Sequence, residues 1–174
     1  MDKNIKKEIL DLSQKLVKVE STKSDPQSLG EVIDISKKYL PGFKYFQFEK
    51  NNYPSIFFYN FLPKNKRFTL ILNGHLDVVP GKREQFTLVD KGKYLFGRGS
   101  SDMKCGAAVQ MCIFKKLADQ NKNPIGLQLV TDEEIGGTNG TLFQLKKGIS
   151  SDFAVSGEST DLKINNTSKG VFWF

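Results

Sequence analysis

Hydrophobic residues recur at helical spacing over the first forty residues of the chain. The first stretch has apolar positions at intervals of three or four residues: Ile5, Ile9, Leu12, Leu16 and Val19. A second stretch from Leu29 to Leu40 keeps the same spacing, and Pro41-Gly42 ends it. Ser24-Asp25-Pro26 is typical of a turn that begins a helix. The pattern therefore predicts two amphipathic helices at the start of the chain.

Shorter apolar runs follow, and they have the length and composition of strands. They span residues 43–48, 55–61, 68–72, 86–89, 94–96, 125–130, 153–156 and 170–174. Helical spacing returns over 104–120 and 140–147. The run 68–72, Phe-Thr-Leu-Ile-Leu, suits a central strand that is buried on both faces. This alternation predicts an α/β fold, with a mixed and mostly parallel sheet flanked by helices.

Composition narrows the function classes. The chain has 174 residues, of which 39% are hydrophobic and 26% charged, so a folded globular protein is expected. No apolar run approaches the roughly 18–20 residues of a membrane span, and the lysine-rich N-terminus lacks a signal-peptide pattern. We therefore expect a cytoplasmic protein that does not bind membranes.

The net charge is +7, but the basic residues are dispersed. Lysines occur as scattered pairs, and no arginine-rich block is present, which favours a solvated surface over a nucleic-acid interface. A basic nucleic-acid-binding domain stays as an alternative, and it would show steeply salt-dependent affinity. Cys105 and Cys112 lie two turns apart in one predicted helix, about 10.5 Å along its axis, so we expect two buried, reduced thiols.

Polar residues gather where predicted strands end. Four such ends carry a carboxylate or the chain's single histidine: His75, Asp102, Glu134 and Glu158. In open α/β sheets, ligands bind at the carboxyl ends of strands. Several ionised carboxylates brought together repel one another and raise their pKa values, and a divalent cation removes that repulsion. One imidazole with several carboxylates suits zinc or another borderline divalent metal.

Each of these residues has a plainer interpretation when taken singly. A histidine at a strand end is commonly hydrogen-bonded within the structure, and Asp132-Glu133-Glu134 resembles a solvated acidic loop. Gly97-Arg98-Gly99 lacks the rest of a phosphate-binding motif, and Ser156-Gly157-Glu158-Ser159 is not a serine-hydrolase elbow. Only the joint pattern favours a metal site. Adjacent Glu133 and Glu134 would point in different directions, which suits one general base and one metal ligand.

The chain resembles a known family in five ordered blocks: NGHLDVVPG (73–81), LFGRGSSDMKCGAA (95–108), LVTDEEIGG (129–137), SGEST (156–160) and SKGVFWF (168–174). It is similar to the dinuclear zinc amidohydrolases and exopeptidases that include succinyl-diaminopimelate desuccinylase, acetylornithine deacetylase, aminoacylase and glutamate carboxypeptidase. The resemblance implies a hydrolase that cleaves an amide bond with a metal-activated water. The implied substrate is a small N-acyl amino acid or peptide.

The resemblance also implies a role for each site residue. His75 and Glu158 would bind one zinc ion, Asp102 would bridge two, and Glu134 would bind the second. Glu133 would be the general base, and Asp77 would orient His75. Cobalt or manganese could replace zinc with such ligands. A cis peptide bond between Asp102 and Met103 is a further implication.

Two features of that family have no counterpart in this sequence. The family has a further histidine ligand, whereas His75 is the only histidine here, and it has a lid and dimerisation domain that is absent. We therefore expect residues 1–174 to be the N-terminal portion of a catalytic domain. Such a fragment would be inactive alone, and its full-length form could be a homodimer. The alternative is a non-catalytic remnant or regulatory metal-binding module of the same fold.

Overall fold

The computed structural model describes residues 3–120 and 122–160, and the helices lie close to where the sequence places them. The four helices are α1 (Lys3–Lys18), α2 (Pro26–Tyr39), α3 (Lys104–Gln120) and α4 (Thr141–Lys146). Asp25 begins α2, since its carboxylate accepts hydrogen bonds from the backbone N–H groups of Gln27 and Ser28. The turn signal in the sequence is thereby confirmed as a helix cap.

Within residues 3–120 and 122–160, seven strands form two sheets. The strands are β1 (Lys44–Lys50), β2 (Tyr53–Tyr59), β3 (Arg67–His75), β4 (Val89–Asp90), β5 (Leu95–Phe96), β6 (Ile125–Val130) and β7 (Ser150–Ser156). The main sheet has the order β1-β2-β6-β3-β7. Strands β6, β3 and β7 are parallel, whereas β2 is antiparallel to both of its neighbours. Only β2 therefore runs against the other strands of this sheet, which confirms the mixed, mostly parallel α/β fold.

Some predicted strand limits need correction. The expected strand over 86–89 is wrong at its start, because Arg83–Phe86 forms a 3₁₀ turn and β4 begins at Val89. The Gln85 side chain closes this turn by accepting from the Lys82 N–H at 2.7 Å. Strand β3 is longer than expected and continues to His75. The predicted strand 170–174 and the block 168–174 lie outside the described residues.

The core occupies both faces of the main sheet. Helices α1, α2 and α3 cover one face, with Leu16, Val32 and Phe114 among the fully buried side chains. A smaller cluster around Phe57 and Phe68 lies on the other face, and α4 borders it through a ring contact between Phe48 and Phe143. Within the described ranges, no helix has the length and apolar character needed to cross a membrane.

Strand β7 forms one edge of the main sheet. It pairs with β3 on one side only, and its side chains are largely exposed. Phe153 is 72% exposed and Val155 50%. Parallel sheets are normally covered on both faces, so this apolar edge is unusual for the fold.

Candidate metal centre

The strand order places the candidate site residues at the carboxyl ends of the central strands. His75 ends the central strand β3, whose neighbours β6 and β7 run parallel to it. In the pairing register, His75 lies opposite Val130 of β6, and Asn73 lies opposite Ser156 of β7. Parallel strands present their carboxyl ends on the same side. The acidic residues that follow β6 and β7 therefore lie on either side of His75.

Three carboxylate side chains lie around the Nε2 atom of His75. Its Nε2 lies 2.8 Å from Asp102 Oδ1, 3.7 Å from Glu158 Oε1 and 3.8 Å from Glu133 Oε2. His75, Asp102 and Glu158 can each offer one ligand atom, with these atoms all within 4.8 Å of one another. One imidazole nitrogen and two carboxylate oxygens at this spacing fit a divalent cation of the zinc type.

Hydrogen bonding fixes the state of the imidazole. His75 Nδ1 lies 3.0 Å from the backbone carbonyl of Asp77, which can only accept, so Nδ1 carries a proton. The carboxylate of Asp102 likewise calls for a proton on Nε2. Burial opposes protonation, but the carboxylates of Asp77, Asp102 and Glu133 outweigh it and raise the pKa of His75 to about 9. A metal ion would replace the Nε2 proton and leave the Nδ1 hydrogen bond intact.

Asp77 lies beneath the cluster and is almost fully buried. Its carboxylate accepts hydrogen bonds from the backbone N–H groups of Glu133 at 3.3 Å and Glu134 at 3.0 Å. The same carboxylate lies 3.4 Å from His75 Nδ1, farther than the Asp77 carbonyl. Asp77 therefore contacts the imidazole through its backbone carbonyl and, at the longer distance, through its carboxylate, and the same carboxylate holds the turn that carries the two glutamates.

The acidic side chains differ from His75 in exposure. The His75 side chain is 1% exposed, whereas those of Asp102 and Glu133 are 65% and 54% exposed. Burial raises the pKa of Glu158, the charges of Asp102 and Glu133 raise it further, and His75 opposes them. Burial also raises the pKa of Glu134, and the charge of Asp102 adds to it. This mutual repulsion is what a bound cation would relieve.

The predicted site residues converge to different degrees. The Nε2 atom of His75 lies within ion-pair distance of Asp102, Glu133 and Glu158. Asp77 lies below them, beside the Nδ1 atom of His75. Glu134 is half-buried and feels the charges of Asp102 and His75. The peptide bond between Asp102 and Met103 is cis, which confirms that implication of the family resemblance. The individual roles of these residues stay predictions.

A layer of small residues lies under the cluster, at the start of α3. A methyl group on Gly106 would come within 2.5 Å of the Gly157 carbonyl oxygen, next to Glu158. A methyl on Gly74 would come within 2.7 Å of Gln110 Oε1, next to His75. Gln110 also donates from Nε2 to the Val155 carbonyl at 3.1 Å. Helix α3 thus packs closely under the ends of β3 and β7, which the hydrogen bond from the Gly157 N–H to the Asn73 carbonyl at 3.1 Å holds together.

Sequence reasoning missed two buried charged residues near the site. Lys104 is fully buried and donates to backbone carbonyls, so the expectation of solvated lysines is wrong for this residue. The available signal was its place on the apolar stripe of α3, ahead of Ala107, Ala108 and Met111. Asp132 is also buried, and its carboxylate accepts from the Asn139 N–H at 2.6 Å to close the loop after β6.

Comparison with known proteins places this chain in a family. The profile described as peptidase family M20/M25/M40 matches residues 71–171, which begin within β3, extend past β7 and include every predicted site residue. The chain belongs to this family. The family resemblance drawn from the five sequence blocks is thereby confirmed.

Two curated relatives show the range of named activities. The chain is 30% identical over 164 residues to a succinyl-diaminopimelate desuccinylase from Nautilia profundicola, covering 90% of this chain and 43% of the relative. It is 36% identical over 106 residues to an N-formyl-4-amino-5-aminomethyl-2-methylpyrimidine deformylase from Bacillus subtilis, covering 56% of this chain and 25% of the relative. The chain thus spans less than half the length of these relatives.

Solved structures share the fold. An M20 family metallo-carboxypeptidase from Sulfolobus solfataricus matches with a TM-score of 0.68 and 21% identity, over 91% of this chain and 38% of that protein. Human carnosine dipeptidase 1 matches with a TM-score of 0.66 and 20% identity, over 86% and 38%. These similarities confirm the arrangement of the sheet and helices.

Proposed function

We propose that this chain carries the metal-binding core of a hydrolase that cleaves amide bonds. In this proposal His75, Asp102 and Glu158 hold one divalent cation, and Glu134 joins Asp102 toward a second. The observation that carries it is the convergence of His75, Asp102 and Glu158, with ligand atoms within 4.8 Å, at the carboxyl ends of β3 and β7 and the start of α3. A bound divalent cation supplies a water molecule of lowered pKa and polarises a carbonyl.

Glu133 is the proposed general base. Its carboxylate is exposed enough to meet a substrate, yet its Oε2 lies 3.8 Å from His75 Nε2. The hydrogen bond from the Glu133 N–H to Asp77 fixes the backbone below it. Glu133 would take a proton from the attacking water as the new C–O bond forms. It would then deliver that proton to the nitrogen as the C–N bond breaks.

The proposed substrate is an N-acyl amine of small size, such as an N-acyl amino acid. Both curated relatives described above bear names of enzymes that remove an acyl group from a substrate, succinyl in one and formyl in the other. A peptide is the second candidate, because the solved structures with this fold include a carboxypeptidase and a dipeptidase.

We also propose that residues 1–174 form the N-terminal portion of a larger catalytic domain, with little activity alone. The exposed apolar edge of β7 supports this, since further sheet would cover Phe153 and Val155. The single histidine supports the competing candidate, a metal-binding module that does not hydrolyse substrate.

Free thiols at Cys105 and Cys112 favour a reducing, cytoplasmic location.

Metal binding tests the proposed centre. Because the chain has one histidine, protein labelled with ¹⁵N-histidine gives one pair of imidazole signals, and both belong to His75. Adding Zn²⁺ should shift Nε2 strongly and leave Nδ1 protonated. Glu158→Gln should weaken Zn²⁺ binding about 10-fold or more, because it removes a ligand. Glu133→Gln should leave the affinity within about threefold, because that residue is a base and not a ligand.

The outcomes separate the candidates. An unchanged imidazole spectrum at saturating Zn²⁺ would contradict both the proposed metal centre and the proposed hydrolase function. Equal loss of affinity in Glu133→Gln and Glu158→Gln would instead make Glu133 a ligand. Hydrolysis of N-acyl amino acids by the 174-residue chain, above the rate with Zn²⁺ alone, would contradict the proposed inactivity. In any longer polypeptide with this core, full activity of Glu133→Gln would exclude its role as base.

A further inference from the structure

We propose that Lys104 is a positioning residue that ties the C-terminal end of α1 to the turn carrying Asp102. Together with Ser21, it makes residues 16–21, which are the end of α1 and the residues directly after it, a structural brace for both sides of the proposed metal centre. This inference rests on the proposed function, because it assigns Lys104 and Ser21 a role in holding the metal ligands. The function itself does not depend on it.

The amine of Lys104 is fully buried and bonded to main-chain oxygens. Its Nζ donates to the Leu16 carbonyl at 2.9 Å and to the Val19 carbonyl at 2.7 Å. Leu16 lies in the last turn of α1, where carbonyls lack the usual helical N–H partner, and its oxygen also accepts from the Val19 N–H at 3.3 Å. Val19 lies just after the helix, and its carbonyl accepts from the Lys104 amine. Two N–H groups satisfy both oxygens whether the amine is charged or neutral, so these contacts do not depend on its protonation.

The stem of Lys104 fixes the loop that leads into Asp102. The backbone N–H of Lys104 donates to the Gly99 carbonyl at 2.8 Å. The space beside Gly99 is filled by the same side chain, since a methyl there would lie 2.9 Å from Lys104 Cδ. Gly99 has a φ of +82°, a conformation that other residues rarely adopt. The loop at Gly99 therefore packs against the side chain of Lys104, which follows Asp102 by two residues in the chain.

Ser21 makes the matching contacts on the side of His75. Its Oγ donates to the Leu76 carbonyl at 2.6 Å, and its own carbonyl accepts from the Val78 N–H at 2.9 Å. Leu76 lies between His75 and Asp77 in the chain. The segment 16–21 is thus bonded both to the strand end that delivers His75 and to the turn that delivers Asp102.

The brace contacts both chain segments that supply the closest pair of candidate ligands. His75 Nε2 and Asp102 Oδ1, 2.8 Å apart, come from two chain segments that are both bonded to residues 16–21. Stability alone does not call for a lysine here, because an amine enclosed in the core costs desolvation that an apolar side chain avoids. The lysine instead supplies directed bonds, which fix where Asp102 sits relative to His75.

Replacement of the amine by a neutral side chain of similar length tests the proposal. Lys104→Met should weaken Zn²⁺ binding about 10- to 100-fold in competition with a chromophoric chelator, as loss of a supporting partner typically does. It should also change the visible absorption spectrum of the Co²⁺-loaded chain, because the geometry of the ligands changes. Lys116→Met, an exposed lysine on the same helix, should keep both properties within twofold.

Two further variants separate positioning from general loss of stability. Leu12→Ala removes a buried side chain from α1 without touching either carbonyl, so it should lower the thermal midpoint and leave the Co²⁺ spectrum unchanged. Ser21→Ala removes a single hydrogen bond and should weaken Zn²⁺ binding in the same direction as Lys104→Met, but less. Measurements are made at a temperature at which each variant is folded.

Each outcome has a definite meaning. Wild-type Zn²⁺ affinity and Co²⁺ spectrum in Lys104→Met would overturn the positioning role, while metal binding by the unmodified chain would still support the proposed function. Failure of the unmodified chain to bind either metal would overturn the function itself. If Lys104→Met does not fold, Ser21→Ala decides: weaker metal binding supports the brace, and unchanged binding overturns it.

Discussion

His75 is the residue on which the proposed metal centre depends. In the structure both of its nitrogens face acceptors, the Asp77 carbonyl at 3.0 Å and the Asp102 carboxylate at 2.8 Å. The surrounding carboxylates overcome the effect of burial and raise the pKa of His75 to about 9. Near neutral pH the metal-free imidazole is therefore protonated, and a metal ion must displace the Nε2 proton to bind.

This competition predicts a pH-dependent metal affinity. Between roughly pH 6 and pH 8, both below a pKa of about 9, the apparent Zn²⁺ affinity should rise about tenfold per pH unit, since the deprotonated fraction of His75 rises by that factor. Chelator competition at several pH values measures the slope. The ¹⁵N titration of the metal-free imidazole is the control, and a midpoint near 6.5 with a flat affinity profile would contradict the assignment.

At the scale of elements, the crossing of α3 over the ends of β3 and β7 sets the width of the site. Gly106 on α3 approaches the backbone of Gly157, and Gln110, one turn further along, lies beside both Gly74 and Gly157. Gly74 in β3 and Gly157 directly after β7 are each followed by a candidate ligand. The helix therefore limits the position of Glu158 through backbone contact with Gly157, and it packs against the segment before His75 through the Gln110 side chain.

A methyl group at this crossing should disturb metal binding. Gly106→Ala places a carbon 2.5 Å from the Gly157 carbonyl oxygen, so the end of β7 must move and carry Glu158 with it. We expect at least about a 10-fold loss of Zn²⁺ affinity. Gly30→Ala is the matched control, because Gly30 lies in α2 with no atom near the added methyl. It should keep the affinity and raise stability by about 0.5–1 kcal/mol.

At the scale of the whole molecule, the edge of the main sheet at β7 stands out. The seven-residue strand pairs on one side only and exposes Phe153 and Val155. Unprotected apolar edges of this kind promote association between chains. Arg67 and Asp152 form an ion pair at 2.7 Å near the start of β7, which leaves the rest of the edge without charge.

A charge on this edge should therefore reduce self-association. Phe153→Lys is expected to lower the fraction of dimers and larger species in sedimentation velocity, without loss of secondary structure. Phe61→Lys is the control, since Phe61 is 44% exposed but lies in the loop after β2, away from the edge. Equal effects of both changes would show that general charge, and not the β7 edge, governs association.

Local patterns were sufficient to predict most elements. The limits of α3 (Lys104–Gln120) and β6 (Ile125–Val130) agree with the sequence expectation, because their apolar spacing is regular and charged or glycine-containing turns bound them. The segment before β4 was less predictable. There the side chain of Gln85 closes a 3₁₀ turn, a specific contact that periodicity does not encode.

The sequence by itself predicted the candidate site residues and indicated that each follows a strand or begins a helix. Only the tertiary structure decided that β3 lies between β6 and β7. This order helps to bring together candidate site residues of which each lies 24 to 32 positions from the next along the chain. It also decided that Lys104 is buried and that the Asp77 carboxylate holds the glutamate turn. Strand order and burial depend on contacts between distant segments, and local propensity carries no information about such contacts.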